Sequence, residues 1–340
     1  MSSRGAMTLL ACESGRPFAE RVVESLNNIV TQSVYKEQFT LKDTNEIWFP
    51  NGEIKTVINE NLRGDDVYII QLLDDPKSKK TINDNYFALF TAINAAYQSD
   101  ADSITAVIPQ FAYSRQERKK TREGITAKQI AMFLESSGAD RVITLDLHSE
   151  AIQGFFNRAK MEDLHASRTL INFIKKEKLF TNPIVVTGPD VGSAERARFY
   201  SKKLSTEFAV VDKVRDYSKI SEIESMRLVG DVDGKDVLIV DDMISTGGTL
   251  VNAAKLLKEK GAQKIVALCA LPFFNGPAVE RLQKAYDEKL FSAIVGTDAV
   301  FHGEGFIEKN SWYREVSVAP LFAQVIYNIN RKRSVSELLR

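Results

Sequence analysis

Short apolar runs alternate with amphipathic stretches along most of the chain. Apolar runs begin at Met7 and Val67, and apolar residues spaced three and four apart follow over residues 16–28 and 82–97. The runs are typical of strands covered on both faces, and the stretches between them are typical of helices. Strand and helix in regular alternation favour βαβ units. The pattern therefore predicts an α/β fold with mainly parallel sheets flanked by helices.

One pattern of helix end, turn and strand occurs twice. It is FLESSGADRVITLDL around Gly138 and LLKEKGAQKIVALCAL around Gly261. Glycine in this position ends a helix in the left-handed conformation, which other residues adopt at a steric cost. The repetition predicts two similar domains, residues 1–165 and residues 166–319. The remaining stretch, 320–340, has helical periodicity and is predicted to pack back on the first domain.

The segment VLIVDDMISTGGTL, residues 237–250, joins an apolar run to two carboxylates and a turn of small residues. In parallel sheets ligands bind outside the carboxyl ends of the strands, which places Asp241 and Asp242 in such a crevice. Residues 245–249 add hydroxyls, glycines and the free N–H groups of a helix start, a combination that suits a phosphate. Because carboxylates repel phosphate, we expect them to accept hydrogen bonds from sugar hydroxyls. A phosphorylated polyol fits both halves of the segment, and an ordinary helix N-cap is the structural alternative.

Two polar segments in the first half of the chain suit a nucleotide. In WFPNGEIK, Phe49 can stack on a purine while Asn51 and Glu53 hydrogen bond to its edge. In FAYSRQERKK, Arg115 can contact two phosphate oxygens and Gln116 can bond to an adenine or a ribose. Taken alone, Pro-Asn-Gly is also an ordinary β-turn, and a cluster of cations is usually a solvated loop.

Three further candidates follow predicted strands. Asp190 in TGPDVGSAER stands where a helix begins, and it suits either a Mg²⁺ ligand or a helix N-cap. Lys213 and Arg215 alternate in VVDKVRDYS, which puts both side chains on one side of a strand. There they suit developing phosphoryl charge, and an exposed pair is the alternative. His148 follows a strand that ends at Asp146, although a lone histidine is more often structural.

Composition limits the possible partners. The 340 residues include 45 basic and 45 acidic side chains, so no overall field attracts nucleic acid or a membrane, and an anion site must be built locally. No apolar stretch reaches bilayer-spanning length and the start of the sequence lacks a secretory signal, which predicts a cytoplasmic protein. Cys12 and Cys269 lie in apolar runs and are expected to be buried rather than paired or zinc-bound. His165 and His302 are interpreted as structural.

Several of these motifs resemble those of one enzyme family. The segment 237–250 is similar to the signature shared by type I phosphoribosyltransferases and ribose-phosphate diphosphokinases. The FAYSRQ loop at 111–116 and the segment LDLHSEAIQGFF at 145–156 resemble the ATP loop and the metal-ATP segment of the diphosphokinases alone. The motifs run in that family's order from Phe49 to Thr249. The chain therefore looks like a ribose-phosphate diphosphokinase rather than a phosphoribosyltransferase.

The resemblance implies a reaction and a set of site residues. The reaction is transfer of the β,γ-diphosphoryl group of ATP to the C1 hydroxyl of ribose 5-phosphate. Its products are AMP and 5-phosphoribosyl 1-diphosphate, which serves nucleotide biosynthesis, and its cofactor is Mg²⁺. The implied ATP residues are Phe49, Asn51, Gly52, Glu53, Arg115 and Gln116. The implied catalytic residues are Lys213, Arg215 and His148, and the implied metal residues are His148 and Asp190. The implied ribose 5-phosphate residues are Arg215, Asp241, Asp242, Ser245, Thr246, Gly247, Gly248 and Thr249.

The resemblance also implies two phosphoribosyltransferase-like domains, with the ATP loops in the first and the ribose 5-phosphate loop in the second. It implies a homo-oligomer, a hexamer of dimers, in which Phe49 enters the adenine site of a neighbouring subunit. Two features depart from the family. Ser245 stands where most bacterial and animal members carry Asp and archaeal-type members carry Ser, and Glu123-Gly124 replaces the Ala-Pro of the regulated class. Ribose 5-phosphate affinity and regulation by ADP or phosphate are therefore not carried over.

An inactive family homologue that acts as a regulatory subunit is the alternative function. Such a protein is expected to have lost catalytic side chains, whereas His148, Asp190, Lys213 and Arg215 are all present. Phosphoryl transfer has a loose transition state that needs positioning and charge neutralisation more than a strong base. A site rich in cations, carboxylates and glycines suits that requirement.

Overall fold

The computed structural model describes residues 4–31, 37–215 and 224–338. This part of the chain forms two compact units, each built on its own parallel sheet flanked by helices. The predicted fold class is confirmed. The first unit comprises the described residues within 1–165, 298–302 and 317–340, and the second comprises those within 166–297 and 303–316.

The helices and strands alternate along the described chain. In chain order the strands are β1 (Met7–Ala11), β2 (Thr44–Trp48), β3 (Ile54–Ile58), β4 (Asp66–Ile70), β5 (Ser103–Val107), β6 (Arg141–Leu145), β7 (Lys160–Leu164), β8 (Ile184–Thr187), β9 (Glu207–Phe208), β10 (Val210–Arg215), β11 (Glu224–Val229), β12 (Asp236–Met243), β13 (Ile265–Leu271), β14 (Ala293–Thr297) and β15 (Tyr313–Val316). The α-helices are α1 (Arg16–Thr31), α2 (Ile82–Gln98), α3 (Thr126–Ser137), α4 (Ser167–Glu177), α5 (Ala194–Leu204), α6 (Gly248–Glu259), α7 (Ala278–Asp287), α8 (Phe306–Lys309) and α9 (Ala319–Asn330). Short 3₁₀ helices lie at Glu150–Phe155 and Val191–Ser193.

The sheet of the first unit has the strand order β1, β4, β5, β6, β7, and all its strands are parallel. Every residue of β4 and β6 is buried, because helices cover both faces of the sheet. The ring of Phe18 in α1 meets the ring of Phe322 in α9 edge to face, with 5.3 Å between the centroids. The last helix of the chain therefore packs within the first unit.

A separate antiparallel hairpin, β2 and β3, stands between β1 and β4 in the sequence. Residues along β2 alternate between half-buried and exposed positions, as expected for a ribbon with one face on the body of the protein. On the β3 side, the hydroxyls of Thr56 and Thr91 lie 2.8 Å apart, which joins the hairpin to α2.

The sheet of the second unit has the strand order β15, β14, β13, β12, β8, β9, again parallel throughout. Strand β12 lies between β8 and β13, and its first five residues are buried. The predicted buried parallel strand before the two aspartates is confirmed. Strands β10 and β11 form a separate antiparallel pair in this unit.

The repeated turn has the predicted backbone in both copies. Gly138 follows α3 with a φ of +117°, and Gly261 follows α6 with a φ of +90°. A Cβ atom on Gly261 would lie 2.0 Å from Oδ1 of Asp233, so glycine is needed there for space as well as for conformation. Strands β6 and β13 begin shortly after these turns.

Residues 298–302 and 317–319, which the sequence placed in the second domain, group with the first unit in the structure. Asp298 explains this grouping, because its buried carboxylate accepts hydrogen bonds from Arg21 in α1 at 2.9 Å and from the N–H of Val318 at 2.7 Å. Gln110 also donates to the carbonyl of Ala299 at 2.7 Å. These bonds fix both passages of the chain against elements of the first unit.

Both cysteines are buried and free, as predicted. Burial raises the pKa of the Cys12 and Cys269 thiols well above the ordinary value, which leaves them as small apolar side chains rather than nucleophiles. Among the described residues, none of the helices combines the length and the apolar character that crossing a bilayer requires.

Candidate active site

Three carboxylates meet at one edge of the second sheet. Strands β8 and β12 are parallel neighbours, so their carboxyl ends lie together. Asp190 follows β8, and Asp241 and Asp242 lie in the last part of β12. After burial and the neighbouring Asp242, the negative charge of Asp190 also contributes to the raised pKa of Asp241. The sequence predicted this edge as a ligand site.

The two adjacent aspartates differ in exposure, and each accepts a hydrogen bond from the backbone N–H of the residue that follows it. The N–H of Asp242 donates to Oδ1 of Asp241 at 3.0 Å, and the N–H of Met243 donates to Oδ1 of Asp242 at 2.9 Å. Asp242 is buried and Asp241 is half-buried. Burial first, and then the charge of Asp242, raise the pKa of Asp241 well above the usual range of a carboxyl group.

Arg196 is the residue that sequence analysis missed at this edge. Its Nη1 atom, in the first turn of α5, lies 3.8 Å from Oδ1 of Asp242 and 4.0 Å from Oδ1 of Asp241. Its positive charge lowers the pKa of Asp241 and so opposes the effect of burial. The available signal was an arginine near the start of the helix that follows Asp190, but the sequence alone does not show which strand end that helix faces.

The loop after β12 presents a helix start. Gly247 has a φ of +74° and precedes α6, and a Cβ atom there would lie 3.1 Å from Cδ2 of Leu282. Arg281 donates to the carbonyl of Thr246 at 2.6 Å, and the carbonyl of Ser245 accepts from the N–H of Asn275 at 2.9 Å. Neighbouring elements therefore fix the loop that leads into α6, and the start of a helix is a place where an anion can be stabilised.

The remaining members of the predicted sugar phosphate set, Gly248 and Thr249, form the first turn of α6. A Cβ atom at Gly248 would lie 3.4 Å from Nη1 of Arg281, which is an ordinary van der Waals contact. The structure thus brings the whole predicted loop together with the paired aspartates, while the ligand itself stays a prediction.

Asp190 closes a tight turn after β8. Its Oδ1 atom accepts hydrogen bonds from the N–H of Ser193 at 3.3 Å and from the Ser193 hydroxyl at 3.1 Å, which makes it the N-cap of the 3₁₀ turn. A Cβ atom on Gly188 would lie 2.5 Å from the same hydroxyl, so the turn also requires glycine. The N-cap role found here is compatible with a metal role, because a carboxylate has acceptor sites to spare.

The donors present fit Mg²⁺ held mainly through a substrate. The described residues contain no group of three or more side chains arranged to hold a metal ion. Mg²⁺ is commonly bound by one or two carboxylates together with substrate phosphates, so it needs no such group. Asp190 supplies one half-buried carboxylate of the right type. His148 is exposed in the first unit and offers nitrogen, which Mg²⁺ prefers less than oxygen.

Lys213 and Arg215 lie in β10, where their backbones pair with Met226 and Glu224 of β11. The side chains of both residues, and the rest of the predicted segment from 216 to 218, lie outside the described residues. The predicted strand before this loop is present, and the catalytic role of the two cations stays a prediction.

In the first unit, Arg115 and Gln116 lie exposed in the loop that follows β5. Gln116 is tied to the start of α3, because its Oε1 atom accepts from the hydroxyl of Thr126 at 2.6 Å. Tyr113 has a φ of +65°, and its ring stacks on Tyr86 of α2 with centroids 6.2 Å apart. These two tyrosines hold the loop on α2, and their contact was not predicted from the sequence.

The segment that carries His148 is held by the end of β7. Asp146 has a φ of +44°, the N–H of Leu147 donates to Oδ1 of Asp163 at 3.1 Å, and Nδ1 of His165 lies 3.3 Å from Oδ1 of Asp146. Burial raises the pKa of Asp163 to about 7, and the hydrogen bond to Asp146 raises the pKa of His165. His165 therefore has acidic neighbours that the sequence did not indicate, and its observed contact supports the loop that presents His148.

The hairpin tip presents the predicted adenine residues. The N–H of Phe49 donates to the carbonyl of Glu53 at 2.8 Å, and the N–H of Glu53 donates to Oδ1 of Asn51 at 3.1 Å. Gly52 has a φ of +90° and completes the turn. The Phe49 side chain is exposed, at 44% of its full area. Within the described residues, the tip makes no hydrogen bond to the loop of Arg115 and Gln116.

Parallel sheets with a ligand loop of this kind at a strand end define an α/β protein of the phosphoribosyltransferase class. The comparisons with known proteins agree and go further. The family model described as the N-terminal domain of ribose phosphate pyrophosphokinase matches residues 7–138, and the phosphoribosyl transferase domain model matches residues 159–305. The chain belongs to the ribose-phosphate pyrophosphokinase family.

Relatives and a solved structure match over most of the chain. The ribose-phosphate pyrophosphokinase of Wolinella succinogenes is 42% identical over 292 residues, which cover 85% of this chain and 88% of the relative. Ribose-phosphate pyrophosphokinase 1 of Streptococcus pyogenes serotype M1 is 34% identical over 333 residues, which cover 98% and 97%. The crystal structure of phosphoribosylpyrophosphate synthetase from Mycobacterium smegmatis has a TM-score of 0.84 at 28% identity and covers 96% of this chain and 99% of that one.

Proposed function

We propose that the protein transfers the β,γ-diphosphoryl group of ATP to the C1 hydroxyl of ribose 5-phosphate, which gives 5-phosphoribosyl 1-diphosphate and AMP. The observation that carries this function is the paired Asp241 and Asp242 beside a helix-start loop, in a chain that also matches the N-terminal pyrophosphokinase domain over 7–138. A phosphoribosyltransferase would not contain that N-terminal domain. No comparison favours an inactive regulatory subunit.

The second unit is proposed to bind the sugar phosphate. The N–H groups and hydroxyls of residues 245–249 receive the 5-phosphate, because a helix start stabilises an anion. Asp241 and Asp242 accept hydrogen bonds from the ribose hydroxyls, which orients the C1 hydroxyl for attack. The positive charge of Arg196 favours the ionised form of Asp241, which is the better acceptor, because it opposes the rise that burial causes in the pKa of this carboxyl.

The first unit is proposed to bind ATP. Arg115 contacts the phosphates and Gln116 the adenosine, while Phe49, Asn51 and Glu53 contact the base. We assign these loops to the first unit and the sugar phosphate loop to the second unit. Mg²⁺ would neutralise charge on the nucleotide phosphates, with Asp190 holding it and His148 contacting the metal-bound nucleotide.

The nucleotide product decides the reaction. We expect AMP to accumulate when the protein is mixed with ATP, Mg²⁺ and ribose 5-phosphate, because transfer of a diphosphoryl group leaves AMP behind. Chromatography of the nucleotides measures it, and a reaction without ribose 5-phosphate is the control. ADP as the product would show an ordinary sugar kinase, and the absence of nucleotide turnover would support the regulatory subunit.

Phe49 is proposed to act in a neighbouring subunit of a homo-oligomer. Phe49→Ala is expected to weaken ATP binding, because aromatic stacking contributes about 1 kcal/mol in addition to the free energy gained by burying apolar area. If the sites are shared, mixing Phe49→Ala subunits with Arg215→Ala subunits regenerates some sites that have both residues intact. The activity of mixed and refolded oligomers is then higher than that of either variant alone. A monomer in light scattering, or no gain on mixing, contradicts the shared site.

A further inference from the structure

The base of the β2–β3 hairpin is held by a buried carboxylate. The Glu46 side chain is only 6% exposed. Its Oε1 atom accepts from the N–H of Glu13 at 2.6 Å, and its Oε2 atom accepts from Nε1 of Trp48 at 3.3 Å. Nζ of Lys80 lies 3.6 Å from the same Oε2. A carboxylate withdrawn this far from water is costly unless its oxygens are engaged, and here both of them are.

Lys80 completes the arrangement. Its ammonium also forms an ion pair with Glu13 and lies 4.6 Å from the centroid of the Trp48 ring. One cation therefore meets two carboxylates and an aromatic face, which is a favourable cation–π arrangement. The three segments that meet at this point are the turn after β1, strand β2 and the turn before α2. We call Glu46, Trp48 and Lys80 the hairpin anchor.

The anchor lies directly behind the proposed adenine residues. Successive residues of a strand face opposite sides, so Glu46 and Trp48 share one face and Phe49, the next residue, leaves on the other. Hydrogen bonds within the turn already fix the shape of the tip. These bonds within the turn do not fix the orientation of the hairpin relative to the rest of the first unit. On β2 the anchor fixes this orientation, together with the hydroxyl of Thr44, which donates to the carbonyl of Ala11 at 2.9 Å.

We propose that Glu46, Trp48 and Lys80 are positioning residues for ATP. They contact no substrate, and they act by holding the hairpin so that Phe49, Asn51 and Glu53 meet the base. The inference rests on the proposed function, since it takes those three tip residues to be the contacts of the nucleotide. The inference adds a reason why the tip can make these contacts. A charged anchor, in which Lys80 comes from a distant part of the sequence, holds the hairpin in place.

Lys80→Met is the central variant, because it keeps the length of the side chain and removes the charge. We expect KM for ATP to rise about tenfold, the size of one lost stacking or hydrogen-bonding contact. The kcat and the KM for ribose 5-phosphate are expected to stay within about twofold, since the sugar phosphate loop is untouched. Lys80→Arg keeps a cation for both carboxylates and the ring, and it is expected to restore most of the ATP affinity.

Lys42→Met is the matched control. Lys42 forms an ion pair with Glu60 at 2.7 Å, and this pair joins the residues just before β2 and just after β3. The substitution therefore removes the same charge from an ion pair at the hairpin without touching the anchor. Its KM for ATP is expected to equal that of the unmodified protein. Glu46→Gln, which keeps an acceptor for Trp48 and removes the charge, is a second variant if Lys80→Met does not fold.

Tryptophan fluorescence reads the anchor without any catalysis. The chain has two tryptophans, and Trp312 is 0% exposed, so quenching by acrylamide reports mainly on Trp48. We expect quenching to increase clearly in Lys80→Met, since the ammonium no longer covers the indole, and to stay unchanged in Lys42→Met. The circular dichroism melting curve confirms that each variant is folded.

One outcome supports the proposal and three overturn it. Increased quenching together with a rise in KM for ATP alone supports it. Unchanged quenching in Lys80→Met overturns it, and so does increased quenching with an unchanged KM for ATP or with equal rises in both KM values. If the protein forms no AMP at all, the proposed function fails. The dissociation constant of ATP, measured by calorimetry on the same variants, then takes the place of KM and decides the inference by the same criteria.

Discussion

Lys213→Ala is expected to lower kcat by about 100- to 1,000-fold, the usual loss when a preorganised charge is removed from a transition state. The KM values for ATP and ribose 5-phosphate are expected to change little. The backbone of Lys213 is fixed by its pairing with Met226 in β11. An ammonium that meets the transferring group mainly in the transition state raises turnover rather than affinity. Steady-state kinetics with both substrates measures the two effects separately.

Arg215→Ala provides the companion test. It is expected to behave like Lys213→Ala, and the double variant is expected to lose much less than the sum of the two losses, because both cations stabilise one developing charge. Lys202→Ala, at an exposed position of α5, is the control for loss of a lysine in the same unit. Near-normal turnover in Lys213→Ala, or a rise in KM alone, would show that β10 does not carry the catalytic cations.

Asp241→Ala is expected to raise KM for ribose 5-phosphate by about 10- to 100-fold with a smaller change in kcat. The reason is the loss of charge-assisted hydrogen bonds to the ribose hydroxyls, each worth about 1.5–3 kcal/mol. Asp231→Ala removes an exposed carboxylate that pairs with Lys235 at 3.3 Å, and it serves as the matched control. Isothermal titration with ribose 5-phosphate separates binding from turnover. An unchanged affinity in Asp241→Ala would exclude Asp241 as a sugar contact.

The same carboxyl predicts a pH dependence. Because its pKa is raised, Asp241 takes up a proton at a higher pH than an ordinary aspartate, and the protonated form is a poorer acceptor. KM for ribose 5-phosphate is therefore expected to rise as the pH falls through this raised range. Arg196→Gln removes the opposing cation and is expected to move the rise to a higher pH. The phosphate of the ligand also titrates, with a pKa of about 6. The informative quantity is therefore the difference between the pH profiles of Arg196→Gln and the unmodified protein.

The second unit's site was largely predictable because its signals are local. The apolar run before Asp241, the adjacent carboxylates and the small residues up to Thr249 lie within one stretch, and one strand and one helix start bring them together. Asp190 was predicted to follow another strand, and it lies at this edge because parallel strands end at a common edge. Arg196 was missed because its role depends on which strand end α5 faces.

The hairpin anchor could not be predicted from the sequence, for a related reason. In the sequence Glu46 is one polar residue in an alternating strand, a pattern that normally indicates a solvated face. Its partners Glu13 and Lys80 lie far from it along the chain, and only the fold brings the three together. Charged residues carry no periodic signal when they are buried one at a time. The same limit applies to Asp163 and His165, whose contacts with the His148 segment cross from β7 to β6.

The chain returns to the first unit at Asp298, and this affects the order in which the two units can fold during synthesis. The first unit is not complete until α9 has been made, because α9 packs on α1 and the side chain of Asn330 bonds to buried Asp66 at 3.0 Å. Domains generally fold as units while the ribosome is still adding residues. Here the unit whose synthesis begins first is the last to be finished. The second unit is complete by residue 316, so it can fold before α9 of the first unit has been synthesised.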